Sequence, residues 1–253
     1  MVRMKLALLS DIHANLPALR ACEQHARQAG AQRFAVLGDL VGYGGEPGAV
    51  VEWAMAVSRD GGVVLRGNHD DATARPPTIG QSAEQASVAW TRSQLGAAQR
   101  EYLAALPLMA PVGELLLVHA SPHEPARWPY LDRPERAQQA LQAAEATHGL
   151  QRVLAGHVHE QRLYYRGRGT SLMPFDPTPA IAIPLRAHRA WVATIGSVGQ
   201  PRDGDPRAMY ALYDDQENRL TFHRVPYDHA AAARAIRATP LPADFADRLE
   251  KGR

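Results

Sequence analysis

Three short apolar segments alternate with two helical segments over the first seventy residues of the chain. The apolar segments are too short for helices, and they predict buried strands at Lys5–Ser10, Phe34–Asp39 and Gly62–Gly67. Asn15 is a good N-cap residue and predicts a helix that runs to about Gly30, and Pro47–Arg59 predicts a second helix. Parallel neighbouring strands need such a crossover helix between them. The pattern therefore predicts a parallel α/β sheet with helices on its faces.

The middle of the chain adds further helices and a change of strand direction. Residues 82–105 predict one or two helices, and Arg133–His148 predicts another. Two apolar runs flank Gly113, and this arrangement predicts two antiparallel strands.

The last third is strand-like after Gln161, with a proline-rich interruption. We expect an irregular insertion at about 166–189 and a helical tail at about 228–253. Because there is no internal repeat and no low-complexity linker, we predict one domain over residues 1–253. Its sheet should have a parallel half and a mixed half.

Composition excludes several classes of protein. The formal charge is +2 and the pI of 8.8 is slightly basic, which suits an anionic ligand but is too weak to predict nucleic-acid binding. The single cysteine, Cys22, excludes an internal disulfide. The first apolar run stops at Leu9, and no segment approaches the roughly 18 apolar residues of a membrane span. These features predict a soluble cytoplasmic protein, and they do not predict an oligomeric state.

Residues that can bind metals follow five of the predicted strands. They are Asp11 and His13, then Asp39, then Asn68 and His69, then His119, and finally His157 and His159. Taken alone, each motif has an ordinary interpretation as a turn, a helix cap or a surface histidine. The carboxyl ends of parallel strands lie along one edge of a sheet, where such folds bind ligands. Five such motifs in order therefore predict one shared site.

The spacing within the motifs fits a shared site. Asp11 and His13 are two residues apart, and extended backbone would place both side chains on the same side. The same holds for His157 and His159.

Asn68 and His69 are adjacent, so they should point apart and have different roles. A glycine precedes three of the candidate ligands, at positions Gly38, Gly67 and Gly156. Such glycines let the backbone turn sharply into the site.

The candidate ligands without His69 comprise two aspartates, one asparagine and four histidines, with no cysteine. This mixture of nitrogen and oxygen donors suits Mn²⁺ first, with Fe, Zn²⁺ or Ni²⁺ as further possibilities, in a catalytic site. Seven donors are too many for one ion and are about right for two. Two cations about 3.5–4 Å apart need an anion between them, and a carboxylate serves.

The motifs DIH, GDLVGYG, GNHD, a lone His119 and GHVH resemble, in this order, the calcineurin-like metallophosphoesterase superfamily. The resemblance extends from Leu6 to His159. Further on, GSVGQPRDGDPRAMYALYD and RVPYD resemble the small stand-alone bacterial and archaeal branch of that superfamily. The resemblance implies a four-layer αββα sandwich with mixed sheets and a dimetal site at the carboxyl ends of the strands.

The resemblance also implies roles for individual residues. The first metal would be held by Asp11, His13 and His159, the second by Asn68, His119 and His157, with Asp39 as the bridge. His69 would be a catalytic histidine that faces the leaving group or a phosphoryl oxygen, and Asp70 would orient it by a hydrogen bond. In the protein-phosphatase branch an Asp-Arg pair grips phosphate where this chain has Gly42 and Tyr43. This difference argues against phosphoprotein substrates.

These residues predict a dimetal phosphoester hydrolase in which a metal-bridging hydroxide is the nucleophile. The favoured hypothesis is a phosphodiesterase acting on small phosphorylated substrates of nucleotide type. The alternatives are a phosphomonoesterase or dinucleoside-polyphosphate hydrolase, and a non-catalytic metal-binding scaffold. Arg202 and Arg207 are candidate substrate-binding residues, although pairing with Asp203 and Asp205 at the surface is an equally good interpretation.

Overall fold

The computed structural model describes residues 4–75, 83–167, 169, 171–186 and 189–253. The strands are β1 Lys5–Leu9, β2 Arg33–Val36, β3 Val63–Val64, β4 Met109–Val112, β5 Leu115–Val118, β6 Arg152–Ala155, β7 Gln161–Arg166, β8 Leu172–Phe175, β9 Ala182–Pro184, β10 Trp191–Ile195, β11 Ala208–Asp214 and β12 Arg219–Val225. The helices are α1 Leu16–Gln28, α2 Pro47–Arg59, α3 Asn68–Ala74, α4 Ala83–Ser93, α5 Ala97–Ala105, α6 Pro134–His148, α7 His229–Arg237 and α8 Ala243–Lys251, with a 3₁₀ turn at Pro125–Arg127.

The described strands form two six-stranded sheets. Sheet I has the order β3-β2-β1-β11-β12-β9, and sheet II has the order β4-β5-β6-β10-β7-β8. The parallel pairs are β1 with β2, β2 with β3, β5 with β6 and β6 with β10, and the other pairs are antiparallel.

The two sheets pack face to face, and helices cover their outer faces. Leu8 of β1 and Leu154 of β6 belong to the core between the sheets. Leu9 of β1 packs with the outer helices α1 and α2, whereas Val153 of β6 packs with α6 on the opposite side. Successive residues of a strand point to opposite faces, so strands that are covered on both faces must be continuously apolar. The four-layer αββα sandwich is confirmed.

The prediction of one sheet with two halves is wrong. Strands β1, β2 and β3 lie in sheet I, whereas β5 and β6 lie in sheet II. An apolar run identifies a buried strand, but it does not say which strand lies beside it. Only the family resemblance pointed to two sheets.

The segment predicted as an irregular insertion contains two strands. β8 pairs with β7 at the edge of sheet II, and β9 pairs with β12 at the edge of sheet I. The segment therefore crosses from one sheet to the other and covers an edge of each. The prolines in this segment predict irregular structure, but Pro174 lies in β8 and Pro184 lies in β9. Edge strands tolerate proline because one side of the strand makes no ladder hydrogen bonds.

Two other predictions differ in their bounds. The third predicted strand shrinks to Val63–Val64, and the residues after it form α3, which the sequence pattern did not predict. The predicted cap of α1 is confirmed, because the amide of Ala18 donates a hydrogen bond to Asn15 Oδ1 over 3.1 Å.

The helical tail is confirmed as α7 and α8, which pack on each other. Phe245 of α8 and Trp90 of α4 both pack against the apolar cluster that these helices form. The tail therefore lies over the end of the sandwich where α3 and α4 meet it. In the described part of the chain, no helix has the length and apolar character to cross a membrane.

Candidate metal centre

The loops after β1 and β6 bring the first group of candidate ligands together. Asp11, His13 and His159 are buried, and each offers an atom within 4.8 Å of the others. Asp11 Oδ1 lies 3.1 Å from His159 Nε2, and His13 Nε2 lies 3.1 Å from the same nitrogen. The predicted ligands of one metal are thus adjacent although they come from opposite sheets.

The loops after β2, β5 and β6 form the second group together with the first residue of α3. Asp39, His119 and His157 offer atoms within 4.8 Å of one another. Asn68 Oδ1 lies 3.2 Å from His119 Nε2, so its side chain faces the same group.

The Asp39 carboxylate lies between the two groups. Its Oδ2 is 3.8 Å from His13 Nε2 in the first group and 3.4 Å from His119 Nε2 in the second. This is the position that a bridging carboxylate requires.

The hydrogen bonds of three histidines determine which nitrogen can bind a metal. His13 Nδ1 contacts Val41 O at 3.1 Å, His119 Nδ1 contacts Leu37 O at 2.7 Å, and His159 Nδ1 contacts Gln200 O at 2.5 Å. A carbonyl oxygen only accepts, so each Nδ1 must carry a proton. Metal-binding histidines are oriented in this way, with Nε2 left for the ion.

The donor atoms of the first group fit a cation. Burial lowers the pKa of His13 well below its usual value, so its ring is neutral and Nε2 carries a lone pair. That lone pair faces Nε2 of His159 at 3.1 Å, and the buried Asp11 Oδ1 accepts no hydrogen bond. A buried carboxylate oxygen and the lone pair of a neutral imidazole are both atoms that can bind a cation.

The second group fits a cation on similar grounds. His157 Nε2 is buried and has no hydrogen-bond partner. Burial by itself would lower the pKa of His119, but the Asp39 carboxylate beside it raises this pKa to about 9. The Asp39 carboxylate thus stabilises a positive charge at His119, and a cation bound at this position would supply that charge in place of the proton.

The backbone at the candidate ligands is in the left-handed region. The φ angles are 53° at Asp11, 50° at His13, 53° at Asp39, 66° at His157 and 64° at His159. Non-glycine residues seldom adopt this region, and such strain is concentrated at functional sites. The prediction that extended backbone places residues two apart on one side is therefore wrong in its reason, although both pairs do face the site.

Hydrogen bonds between the loops hold this conformation. The amide of Asp11 donates to Gly38 O over 3.0 Å, and the amide of His13 donates to Asp39 O over 3.0 Å. The amide of His157 donates to Asp11 Oδ2 over 2.9 Å and so joins the two sheets at the site.

The glycines before the ligands have two different roles. Gly38 has φ +94°, so it makes the sharp turn that was predicted. Gly67 has φ −98°, which any residue adopts, but a Cβ there would lie 2.1 Å from Asp39 Oδ1. A Cβ on Gly156 would lie 1.9 Å from Ser10 Oγ. These two positions need glycine because neighbouring segments approach closely.

Asn68 and His69 point apart, as predicted from their adjacency. They begin α3, where successive side chains are about 100° apart around the axis. Asn68 faces His119, whereas the His69 ring lies 5.0 Å from the His13 ring and 4.5 Å from the Tyr43 ring. His69 also lies within 4.8 Å of donor atoms of His13 and Asp39, so it borders the first group.

Asp70 does not orient His69 by the predicted hydrogen bond. Its Oδ1 accepts from the amides of Leu40 and Val41 over 2.9 and 3.3 Å, and its Oδ2 accepts from the amide of Gly67 over 2.9 Å. No hydrogen bond among the described residues joins this carboxylate to the His69 ring. As the third residue of α3, Asp70 turns back toward the helix start and ties the loop after β2 to it.

The two candidate substrate-binding arginines lie in different surroundings. Arg202 donates to Gln200 Oε1 over 2.9 Å, and its guanidinium carbon is 6.0 Å from the centre of the Tyr43 ring. It is therefore next to the site. Arg207 is exposed and pairs with Asp205 over 2.6 Å. Arg207 is therefore a surface arginine paired with an aspartate, which was the alternative to substrate binding. The structure does not support the prediction that Arg207 binds substrate.

Three aromatic residues border the ligand groups although the sequence pattern did not predict them. The Tyr43 ring lies 4.7 Å from the His13 ring, and the backbone of Tyr43 has a φ angle of 60°. Tyr130 stacks on His157 at 4.1 Å, and Trp128 lies 5.8 Å from His119. The glycines on both sides of Tyr43 in GDLVGYG were an available signal for the first, whereas the loop that carries the other two has no recognisable motif.

Known proteins share this sequence pattern and this fold. The chain matches the calcineurin-like phosphoesterase superfamily domain over residues 4–218. An uncharacterized protein of Methanocaldococcus jannaschii is 28% identical over 259 residues, with 100% of both chains covered.

Two solved structures are similar over nearly the whole chain. A metallophosphoesterase from Sphaerobacter thermophilus has a TM-score of 0.89 and 31% identity, covering 99% of this chain and 100% of that one. A hypothetical protein from Pyrococcus horikoshii has the same fold, with a TM-score of 0.74, 21% identity and 98% of each chain covered. The chain therefore belongs to the calcineurin-like phosphoesterase superfamily, and it is a metal-dependent phosphoesterase.

Proposed function

We propose that this phosphoesterase is a phosphodiesterase that hydrolyses small diesters of nucleotide type with two divalent cations, Mn²⁺ first. Asp11, His13 and His159 would hold one cation, Asn68, His119 and His157 the other, and Asp39 both. When bound, such cations supply Lewis acidity toward phosphoryl oxygens and water. The protein's part is to hold the ligand atoms rigidly and to place His69, Tyr43 and Arg202 beside the substrate.

His69 is the side chain best placed to contact the substrate beside the ligands. Its ring is packed against His13 and Tyr43, and its amide donates to Asp39 Oδ1 over 2.9 Å. Burial lowers the pKa of His69, so the neutral ring is favoured. A neutral imidazole donates one hydrogen bond, which can stabilise a phosphoryl or leaving oxygen as charge develops there.

The observation that carries the diester preference is Tyr43. It stands where the protein-phosphatase branch has its phosphate-gripping arginine, and its ring is packed between His13 and His69. A monoester carries up to two negative charges near pH 7, whereas a diester carries one. A neutral phenol in this position favours the less charged substrate.

The nucleotide-type substrate is supported by Tyr130 and Trp128. The Tyr130 side chain is 43% exposed while its ring stacks on His157 at 4.1 Å, so its outer face is open. Any nucleobase can stack on such a ring, because every base has a flat π face.

The test is hydrolysis of bis-p-nitrophenyl phosphate and p-nitrophenyl phosphate by the Mn²⁺-loaded protein. We expect a higher kcat/KM for the diester. Asp39→Asn should abolish this activity and lower the metal content measured by mass spectrometry. A higher kcat/KM for p-nitrophenyl phosphate, or for a dinucleoside polyphosphate, would replace the proposal with the corresponding alternative.

A matched pair of arginine variants tests the anion-binding role. Arg202→Ala should raise KM for the diester several-fold, because its guanidinium lies beside Tyr43. Arg207→Ala should leave KM unchanged, because its guanidinium is held by Asp205. Equal effects of the two variants would remove Arg202 from the site.

A further inference from the structure

A cavity of about 440 Å³ opens beside His69 on the side away from the ligand groups. Its walls come from α3, from α4, from the start of α8 and from the loop that contains Tyr43. Small-molecule sites have volumes of roughly 300–1,000 Å³, so the cavity is large enough for one ring-containing group. His69 belongs both to this cavity and to the border of the first ligand group.

The wall of the cavity is apolar with a few hydroxyl groups. Tyr43, Val88 and Phe245 supply apolar surface, and Thr73 and Thr91 supply hydroxyls. Among the described residues that line the cavity there is no lysine and no arginine.

The acidic residue on the wall is neutralised. Asp244 Oδ2 lies 2.7 Å from Arg248 Nε in the next turn of α8, and both side chains are largely exposed. The described side chains that line the cavity therefore supply no net positive charge, and an anionic group would lose its hydration there without a basic partner on the wall.

Thr91 is a further sign of a ligand. The residue is 1% exposed, lines the cavity and has an Oγ1 with no hydrogen-bond partner. Buried polar atoms nearly always have a hydrogen-bond partner, because a buried hydroxyl without one loses its hydration uncompensated. Oγ1 is itself covered by protein, so a polar atom of a molecule bound in the cavity would become its partner once the Thr91 side chain rotates.

We propose that this cavity binds the leaving group of the reaction, and that it selects an uncharged, ring-containing alcohol such as a nucleoside or an aryl alcohol over an anionic leaving group. The proposal rests on the hydrolase function proposed above. In that reaction the oxygen of water bonds to phosphorus, the bond from phosphorus to the leaving oxygen breaks, and this oxygen takes a proton and departs as the alcohol. His69, which both lines the cavity and borders the first ligand group, is beside the bond that breaks. A dinucleoside polyphosphate, whose leaving group is an anionic nucleotide, does not fit this cavity.

The kinetic test uses two methyl aryl phosphodiesters that differ only by a carboxylate on the aryl leaving group. We expect a kcat/KM at least tenfold higher for the uncharged aryl group. Val88→Trp, which fills the cavity, should lower that kcat/KM at least tenfold. Ala89→Trp introduces the same side chain on the exposed face of the same helix and should change that kcat/KM less than twofold. Circular dichroism checks that both variants are folded.

A binding test separates this proposal from the proposed function. Calorimetric titration of the metal-free protein with thymidine should show binding that Val88→Trp abolishes, Thr91→Val weakens and Ala89→Trp leaves unchanged. Such binding by a protein that hydrolyses no phosphodiester would uphold the cavity and overturn the proposed function. A protein that hydrolyses diesters, binds no thymidine and is unaffected by Val88→Trp would overturn the cavity proposal alone. Faster hydrolysis of the carboxylated diester would overturn it as well.

Discussion

Replacing Asp70 by alanine should destabilise the protein strongly, because this carboxylate is completely buried and holds three backbone amides. The amides of Leu40 and Gly67 donate to it over 2.9 Å, and that of Val41 over 3.3 Å. The first and last of these belong to the loop that carries Asp39, and the middle one belongs to the start of α3. Asp70→Ala therefore leaves donors without acceptors at the junction of two ligand-bearing segments.

The size of the effect follows from these contacts. Each buried donor without a partner costs about 1–3 kcal/mol, so the two donors that make the short bonds together give about 2–6 kcal/mol, and the donor of the longer bond adds to this. This is a large fraction of the roughly 5–15 kcal/mol by which a typical protein is stable. Asp70→Asn keeps one acceptor oxygen but turns an NH₂ group toward the other donors. It should therefore lower the free energy of unfolding, but by less than Asp70→Ala does.

Urea denaturation of the metal-free variants measures the free energies of unfolding, and mass spectrometry measures metal content after reloading. We expect Asp70→Ala to lower both, because Asp39 lies on the loop that is released. An Asp70→Ala protein with wild-type stability and metal content but no activity would refute this reasoning. It would restore the role in orienting His69 that the family resemblance implied.

Four further predictions concern the site and its surroundings. His69→Ala should lower kcat about 10²–10⁴-fold, the usual range for a lost acid, base or donor, while both metals remain; loss of metal would make His69 a ligand. Gly67→Ala should lower the free energy of unfolding by about 1–3 kcal/mol, because the added Cβ would lie 2.1 Å from Asp39 Oδ1. Gly48→Ala in α2, whose Cβ would lie 3.6 Å from the nearest atom, should not lower it in the same urea titration, because alanine favours a helix over glycine. Chelation of the metals should lower Tm, by the equivalent of about 2.7 kcal/mol for a metal supplied at 100 times its Kd, and an unchanged Tm would contradict the fit of the donors to cations. Burial, together with the nearby His25, lowers the pKa of His223 to about 4. Between pH 6.5 and 4 the unfolded chain therefore binds a proton at His223 that the folded protein does not bind, so the free energy of unfolding should fall as the pH drops through this window. The fall should be less steep in His223→Gln.

At the candidate ligands, the residue types and the loop conformations depend on different kinds of information. The residue types are visible in the sequence, and aspartate, asparagine and histidine without cysteine limit the metal chemistry. The argument from extended backbone was nevertheless wrong, because Asp11, His13, His157 and His159 all have positive φ. That conformation is held by hydrogen bonds between loops that are distant in sequence, so no local pattern could reveal it.

Asp70 illustrates a second limit. The family resemblance implied a hydrogen bond between its side chain and that of His69, whereas its Oδ1 accepts from two amides about thirty residues away. Adjacent residues of a helix point in different directions, and α3 itself was not predicted because seven residues are too few for a helical period to be visible.

Short stretches of the sequence suffice to predict the alternation of strands and helices, the order of the five candidate-ligand motifs and the kind of metal chemistry that their side chains offer. These follow from local properties: apolar periodicity, capping residues and the donor atoms of each side chain. Other features are visible only when the whole chain is folded. The strands that precede the candidate ligands belong to two sheets, and α4 and α8 enclose a cavity beside His69. Arg207 pairs with Asp205, whereas Arg202 approaches Tyr43. Those features depend on which surfaces meet when the core closes, and the free energy of that packing is shared among residues far apart in the chain.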